Sequence, residues 1–319
     1  MPIILATQPI DDYCRRTLER FAPIRIATDM LEATLLVEAR DAIAIVVRGQ
    51  APITPQVIAC APNLKVIGRT GVGYDTVNIP AATAHGVPVV YAPGAGARAV
   101  AEGTFTFMLA MCKKLQYWDG AMKSGDWNSR YRVQGSDLDG KTLGIVGLGR
   151  IGSIVAKIAQ PFGMRVIASD PYIDPAIGIA LGVQMMSLQD VLRQADFLTL
   201  HCPHNDETNG MIDREKLSML KPGSFFVNLA RGGVVKSLDV VDELLGSGHL
   251  QGAALDVFND EPPAPDHPIF LRENCLVSPH SMATTSGAMT RIFKSMTDDM
   301  VAVFEGRRPE FVVNPETLS

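Results

Sequence analysis

Short apolar runs alternate with longer amphipathic stretches through the first hundred residues. Ile3 to Ala6, Ile43 to Val47, Lys65 to Gly68 and Val87 to Tyr91 read as strands, with Tyr13 to Phe21, Pro55 to Ala61 and Pro80 to His85 as the helices between them. Elements alternating in this way imply a parallel sheet covered by helices. A glycine-rich break at Tyr91-Ala-Pro-Gly-Ala-Gly96 precedes a helical run from Ala99 to about Lys123, expected to cross between domains. A second series of strands follows at Leu143 to Val146, Val166 to Ser169, Phe197 to His201, Phe225 to Leu229, Ala253 to Val257 and Leu276 to Ser278. Ser187 with Asp190 has the spacing of a capping box, and Ser237 with Asp239 and Gly246 brackets another helix. From Thr285 to Glu305, Met289, Ile292, Phe293, Met296, Met300, Val303 and Phe304 share one helical stripe, which suits core packing better than a ligand surface. The expected fold is α/β, with two Rossmann-like or flavodoxin-like parallel-sheet domains. The tail Phe311-Val-Val-Asn314 is expected to return to the first, making it discontinuous: residues 1–100 plus 286–319, against 101–285 for the second.

Composition narrows the function classes. Apolar residues at 47% and charged residues at 20% are ordinary for a globular protein, and 319 residues suit two domains. A net charge of −5 with no basic helix gives no footprint for nucleic acid or a membrane surface. Cys14, Cys60, Cys112, Cys202 and Cys275 are widely spaced without a C-x-x-C pair, as thiols in a reducing compartment would be, and no metal-ligand set is expected. Met1 leads straight into a strand-like segment without a basic or long apolar leader, so a cytoplasmic protein is expected.

The chemistry begins at Lys141-Thr-Leu-Gly-Ile-Val-Gly-Leu-Gly-Arg-Ile-Gly152, where G-x-G-x-x-G falls between a strand and a helix. Gly147 permits the tight turn, Gly149 lets backbone approach a pyrophosphate, and Gly152 lets the helix pack on the strand. The helix N-terminus then presents unpaired N–H groups to phosphates. Asp170 ends the next strand at the distance expected of the carboxylate that binds the adenosine ribose, which favours NAD over NADP, although a surface Asp at a strand end is the plainer alternative.

Polar residues follow the later strands, where an open parallel sheet places its ligand crevice. They are Arg231 in Asn228-Leu-Ala-Arg-Gly-Gly233, Glu261 before Pro262, and His280 in Ser278-Pro-His280. Singly, each also suits an ordinary place: a loop cation, a turn acid, a core histidine. Together they match the reduction of a 2-oxo acid. That reaction needs a guanidinium for the carboxylate, an imidazole with a pKa near neutrality as proton donor, and a carboxylate to orient the imidazole.

With these motifs in order, the chain resembles the D-isomer-specific 2-hydroxyacid dehydrogenases over essentially its full length. The resemblance rests on Gly147-Leu-Gly-Arg-Ile-Gly152, Asn228-Leu-Ala-Arg-Gly-Gly233, Gly252-Ala-Ala-Leu-Asp-Val-Phe258 with Glu261-Pro262, and Ser278-Pro-His280. It implies Arg231 as substrate-carboxylate binder, His280 as acid/base and Glu261 as its orienting partner. It also implies that Arg150 and Ile151 meet the pyrophosphate of NAD and Asp170 the ribose. Thr104, Cys202, Ala230, Asp256 and Met282 are implied as further cofactor contacts, Asp256 at the nicotinamide carboxamide. The loop Gly68-Arg-Thr-Gly-Val-Gly-Tyr-Asp75, with Val72 and Gly73, resembles the substrate loop. Two departures stand out: Ser281-Met282-Ala283 where glycines usually follow the histidine, so that Met282 is expected beside the nicotinamide, and His204 where leucine is usual, read as a variation near the adenine.

The phosphoglycerate dehydrogenase branch looks most similar, through Val46-Val-Arg48, Val66-Ile-Gly-Arg-Thr-Gly71 and Met122-Lys-Ser-Gly-Asp-Trp127. Arg48 and Arg69 are then candidates for a substrate phosphate, or only shape the loop. A hydroxypyruvate or glyoxylate reductase would look much the same, whereas an NAD(H)-sensing binding protein is an alternative that the lack of long disordered flanks speaks against. With the chain stopping at residue 319, the small regulatory domain of many phosphoglycerate dehydrogenases, and serine feedback through it, are not expected. A homodimer is expected, with Leu115 to Arg132, carrying Tyr117, Trp118, Trp127 and Tyr131, as a suitable interface.

Overall fold

The computed structural model describes residues 1–318, divided into two compact units: residues 1–96 with 284 onward, and residues 97–283. The first unit begins β1 (Ile3–Ala6), α1 (Asp12–Leu18), β2 (Ile24–Ile26), α2 (Glu32–Glu38), β3 (Ala42–Val47), α3 (Pro55–Ala59), β4 (Val66–Arg69), α4 (Ile79–Ala84) and β5 (Val89–Val90). Its five strands are parallel in the order β2-β1-β3-β4-β5, the flavodoxin-like order. Burial explains the unbroken apolar runs. Ile3, Leu5, Ile45, Val47 and Ile67 pack on one face, while Ile4, Ala6, Ala44, Val46 and Val66 pack on the other.

The second unit runs α5 (Ala97–Cys112), α6 (Leu115–Lys123), β6 (Thr142–Val146), α7 (Arg150–Ala159), β7 (Arg165–Ser169), α8 (Pro175–Ala180), β8 (Gln184–Met185), α9 (Leu188–Gln194), β9 (Phe197–Leu200), α10 (Arg214–Ser218), β10 (Ser224–Asn228), α11 (Leu238–Gly246), β11 (Leu250–Leu255) and β12 (Cys275–Val277). Its seven parallel strands lie in the order β12-β11-β10-β9-β6-β7-β8. The sequence order therefore reverses between β6 and β9, where a doubly wound sheet opens its ligand crevice. Ser169, Val146, Leu200, Asn228, Leu255 and Val277 are successive register partners across six of these strands. The residues that follow those ends therefore begin from one row.

The chain then returns to the first unit as α12 (Ser286–Phe304), whose Phe293, Met296 and Met300 pack beneath β1, β3 and β4. Beyond it Val312 makes an antiparallel bridge to Val90, and buried Asn314 closes the strand edge. Its Oδ1 accepts from Val89 N–H at 2.7 Å, and its Nδ2 donates to Val87 O at 3.0 Å and to Thr83 Oγ1 at 3.1 Å.

Several elements depart from the periodicity reading. The single helix expected from Ala99 to Lys123 is two helices, broken by left-handed Lys114 (φ 51°). The carbonyl of Cys112, orphaned by the break, accepts Ser136 N–H at 2.7 Å. β2 and β8, three and two residues long, and α2 were not expected. Ser187 caps α9 from Asp190 N–H, but the shorter Asp190 side chain takes the Ser187 hydroxyl instead of reaching the cap N–H. Ser237 precedes α11 without a side-chain cap bond.

Asn314→Ala would leave a buried N–H and a buried carbonyl at β5 unpaired. The expected cost is roughly 2–4 kcal/mol, read in urea unfolding with amide exchange at β5 as the local probe.

Candidate active site

The turn after β6 is set by backbone crowding. Gly147 has φ +93°, and a Cβ there would sit 2.6 Å from Cys202 N and 2.8 Å from the His201 carbonyl carbon, at the end of β9. A Cβ on Gly152 would lie 2.1 Å from Gly147 O, so α7 presses directly on the turn. Gly149 is the opposite case, with nothing within 4 Å of its Cβ position. It opens α7 without any side-chain cap, so no side chain of the turn occupies the first N–H groups of that helix. Asp170 ties the turn down: Oδ2 accepts Leu148 N–H at 2.8 Å, and Oδ1 accepts Tyr172 N–H at 2.9 Å.

The other strand ends use the same device. Buried Asn228 accepts Ala230 N–H at 3.0 Å and donates to Arg231 O at 3.1 Å, fixing the turn that carries Arg231. Arg231 Nη1 donates to Ala230 O at 2.7 Å. A Cβ on Gly232 would lie 1.9 Å from the carbonyl carbon of Phe258, so the turns after β10 and β11 are in backbone contact. Glu261 Oε1 accepts Phe258 N–H at 3.2 Å, while its Oε2 lies 2.9 Å from His280 Nδ1. His280 itself is left-handed, with φ 52°.

The remaining residues anticipated around this site are spread more widely. Asp256, 4% exposed, accepts from Ser278 Oγ, Ser281 N–H and Met282 N–H. The Met282 side chain lies against α5, its Cβ 2.8 Å from the Cβ position of Gly103. Thr104 is fully buried in α5, where its hydroxyl donates to Val100 O at 3.0 Å. Burial pushes the Cys202 thiol up to about 11, so it stays protonated. His204 packs on Gly233, with its Nε2 2.5 Å from that glycine's Cβ position and 3.1 Å from Asn209 Oδ1. Arg48, Arg69, Val72 and Gly73 belong to the first unit. There Arg48 Nη1 donates to Pro9 O at 2.6 Å, and Arg69 donates to Gly73 O, Val47 O and Thr70 O. Val72 is 41% exposed.

Sequence reasoning gave no role to Asn228, Ser278 or His201. Asn228 stands in the quoted motif as a polar residue closing an apolar strand, which is the one visible signal. His201 Nδ1 is buried with no hydrogen-bond partner, and Nε2 is 3.0 Å from Thr199 Oγ1. Burial holds the imidazole neutral, pushing its pKa down to about 3. Among the described residues no group of His, Cys, Asp and Glu could hold a metal ion, and no helix is long and apolar enough to cross a membrane.

Residues 105–282 match the family model for the NAD binding domain of D-isomer specific 2-hydroxyacid dehydrogenases. The chain belongs to that family. It is 38% identical over 312 residues, 98% of its length, to D-3-phosphoglycerate dehydrogenase of Methanocaldococcus jannaschii, and 35% identical over 317 residues to the enzyme of that name from Rattus norvegicus. In each case it spans 59% of the relative's length. Among solved structures, a protein from Thermus thermophilus superposes with a TM-score of 0.89 at 33% identity, covering 98% of this chain and 99% of that one. D-lactate dehydrogenase from Aquifex aeolicus, complexed with NAD and lactic acid, also gives 0.89, at 26% identity and the same coverage.

Three outcomes are expected at these strand ends. Gly147→Ala should lower stability by about 2 kcal/mol or more, because it meets backbone and needs a left-handed residue. Gly149→Ala should leave stability intact and weaken NADH binding on the order of tenfold or more, read by fluorescence titration beside urea unfolding. For His201 the pKa is lowered in the folded state, so the unfolded chain takes up its proton first as pH falls. Stability from this group is complete above about pH 6.5 and declines toward about pH 3. His201→Asn should therefore flatten the fall in urea midpoint between about pH 7 and pH 4.5.

Proposed function

We propose that this chain is an NAD-dependent oxidoreductase interconverting a D-2-hydroxy acid and its 2-oxo acid, most similar to phosphoglycerate dehydrogenases. The observation that carries the reading is the contact of Glu261 with His280 Nδ1, built on the same row of strand ends as the Gly147–Gly152 turn. The residues fit the cofactor: open space at Gly149, an uncapped helix N-terminus and the Asp170 carboxylate beside the turn. NADH held there would supply the hydride for reduction of a carbonyl carbon. Glu261 holds the imidazole by Nδ1, which leaves Nε2 to deliver the proton to the developing alkoxide oxygen. Arg231 binds the substrate carboxylate through its guanidinium fork. In the reverse direction Nε2 takes the hydroxyl proton, and the adjacent carboxylate stabilises the imidazolium.

We assign residues 101–285 to cofactor binding and residues 1–100 with 286–319 to substrate binding, with the 68–75 loop as the substrate loop. The relatives' names favour a phosphorylated substrate. Against it, the guanidinium groups of Arg48 and Arg69 already donate to backbone carbonyls, which favours hydroxypyruvate or glyoxylate as the second reading. Exposed Leu115, Trp127 and Tyr131, with Arg130 over both aromatic rings at 4.6 Å, support the 115–132 segment as a homodimer interface. Five free cysteines support a reducing, cytoplasmic setting.

The test is NADH oxidation with 3-phosphohydroxypyruvate, hydroxypyruvate and glyoxylate. Turnover with at least one is expected, and NADH binding without oxidation by any of a broad 2-oxo acid panel defeats the enzyme reading. His280→Ala should cost roughly 10²–10⁴-fold in kcat with NADH affinity retained. Parallel loss of NADH affinity would remove His280 from the proton-transfer role.

A further inference from the structure

We propose that Asp256 is a positioning residue for His280, its buried carboxylate setting the backbone of the turn that presents the imidazole. The proposal rests on the dehydrogenase reading above and concerns the part Asp256 plays in it. Leu255 and Val277 are register partners at the ends of β11 and β12, so Asp256 emerges beside Ser278. Its Oδ1 accepts the Ser278 hydroxyl at 2.5 Å and Ser281 N–H at 2.7 Å, and its Oδ2 accepts Met282 N–H at 3.1 Å. These donors bracket His280, one lying two residues before it and the others one and two residues after.

Between them His280 adopts φ 52°, a left-handed conformation that is unfavourable for a side-chain-bearing residue and persists where surrounding contacts over-determine it. Its own N–H bonds to Ser278 O, within the turn. Glu261 holds the imidazole by one nitrogen, but nothing in that contact fixes the backbone. The Asp256 carboxylate does so from both sides, and with 4% exposure its charge is directed almost wholly into these bonds. Oδ1 is thus committed to the turn whatever Oδ2 does when a cofactor is present. A residue whose main work is holding the nicotinamide would act on NADH affinity. One that holds the His280 turn acts on turnover.

Ser278→Ala separates the two, since it removes one donor and leaves the carboxylate in place. Relative to the wild type, the expected result is a fall in kcat of ~10-fold for Ser278→Ala and ~100-fold for Asp256→Ala, with the NADH dissociation constant within about twofold for Ser278→Ala. Carbethoxylation of His280 by diethylpyrocarbonate, followed by mass spectrometry, should change in rate by at least about threefold in both variants, with exposed His85 as the unchanged control. Wild-type kcat and wild-type His280 reactivity in Ser278→Ala would overturn the proposal, as would NADH affinity lost in Asp256→Ala with kcat at saturation retained. If Asp256→Ala does not fold, Ser278→Ala decides alone. If the wild type turns over no 2-oxo acid, the dehydrogenase reading fails, while the reactivity comparison still decides whether the carboxylate positions His280.

Discussion

The register of the seven-stranded sheet is the constraint on which the site depends. Parallel strands bond with even spacing, so a slip of one residue turns every side chain to the opposite face. Here that slip is opposed on both faces at once: Phe225 and Val227 pack into one core and Phe226 into the other, with Leu143 and Ile145 set against Val146 in the same way. Register so fixed brings Ser169, Val146, Leu200, Asn228, Leu255 and Val277 into line. Beyond that line, turn chemistry alone decides where each side chain goes. Asp170, Gly147, His201, Leu229, Asp256 and Ser278 are the first residues past the row.

At that row the structure must satisfy loop N–H groups that no strand or helix can pair. It does so with side-chain oxygens, from the next strand end for Asp170 on Leu148 and Asp256 on Ser281 and Met282, and from within the same turn for Asn228 on Ala230 and Glu261 on Phe258. Each bond orients a turn, and the turns carry the groups of chemical interest. Glu261 shows the economy of the arrangement, since one oxygen holds its own turn and the other meets His280. Removing a carboxylate here acts on backbone geometry as well as on charge, which is why pair distances alone underestimate such residues.

Much of this was legible in the sequence because the signals were periodic or stereochemical. Buried parallel strands announce themselves as unbroken apolar runs, and glycine at 147 and 152 marks places where a Cβ would meet backbone. Elements lacking either signal escaped: β2 and β8 are too short for a period to show, and the break at Lys114 carries no glycine or proline because an incoming Ser136 N–H supports it from outside the helix. The site followed the same rule. His280 and Glu261 could be named from residue type and position, but the Ser278–Asp256 contact joins side chains 22 residues apart in sequence and depends on register, which no local pattern encodes. The Thr104 hydroxyl, expected as a cofactor contact, donates to Val100 O inside α5, a bond set by helix geometry that its residue type alone does not announce.

Arg69 shows how shape and charge combine in one residue. Its guanidinium donates to Gly73 O, Val47 O and Thr70 O, so the 68–75 loop is wrapped around a cation. The planar guanidinium presents its N–H groups as a fork, which suits several carbonyls of one loop at once. The guanidinium is thus fixed among backbone atoms, in a loop that also holds Gly71 at φ +131° and exposed Val72. A lysine would supply the charge without the planar fork that reaches three carbonyls. Bonds to three carbonyls give Arg69 the work of shaping the loop, which a change to lysine would undo.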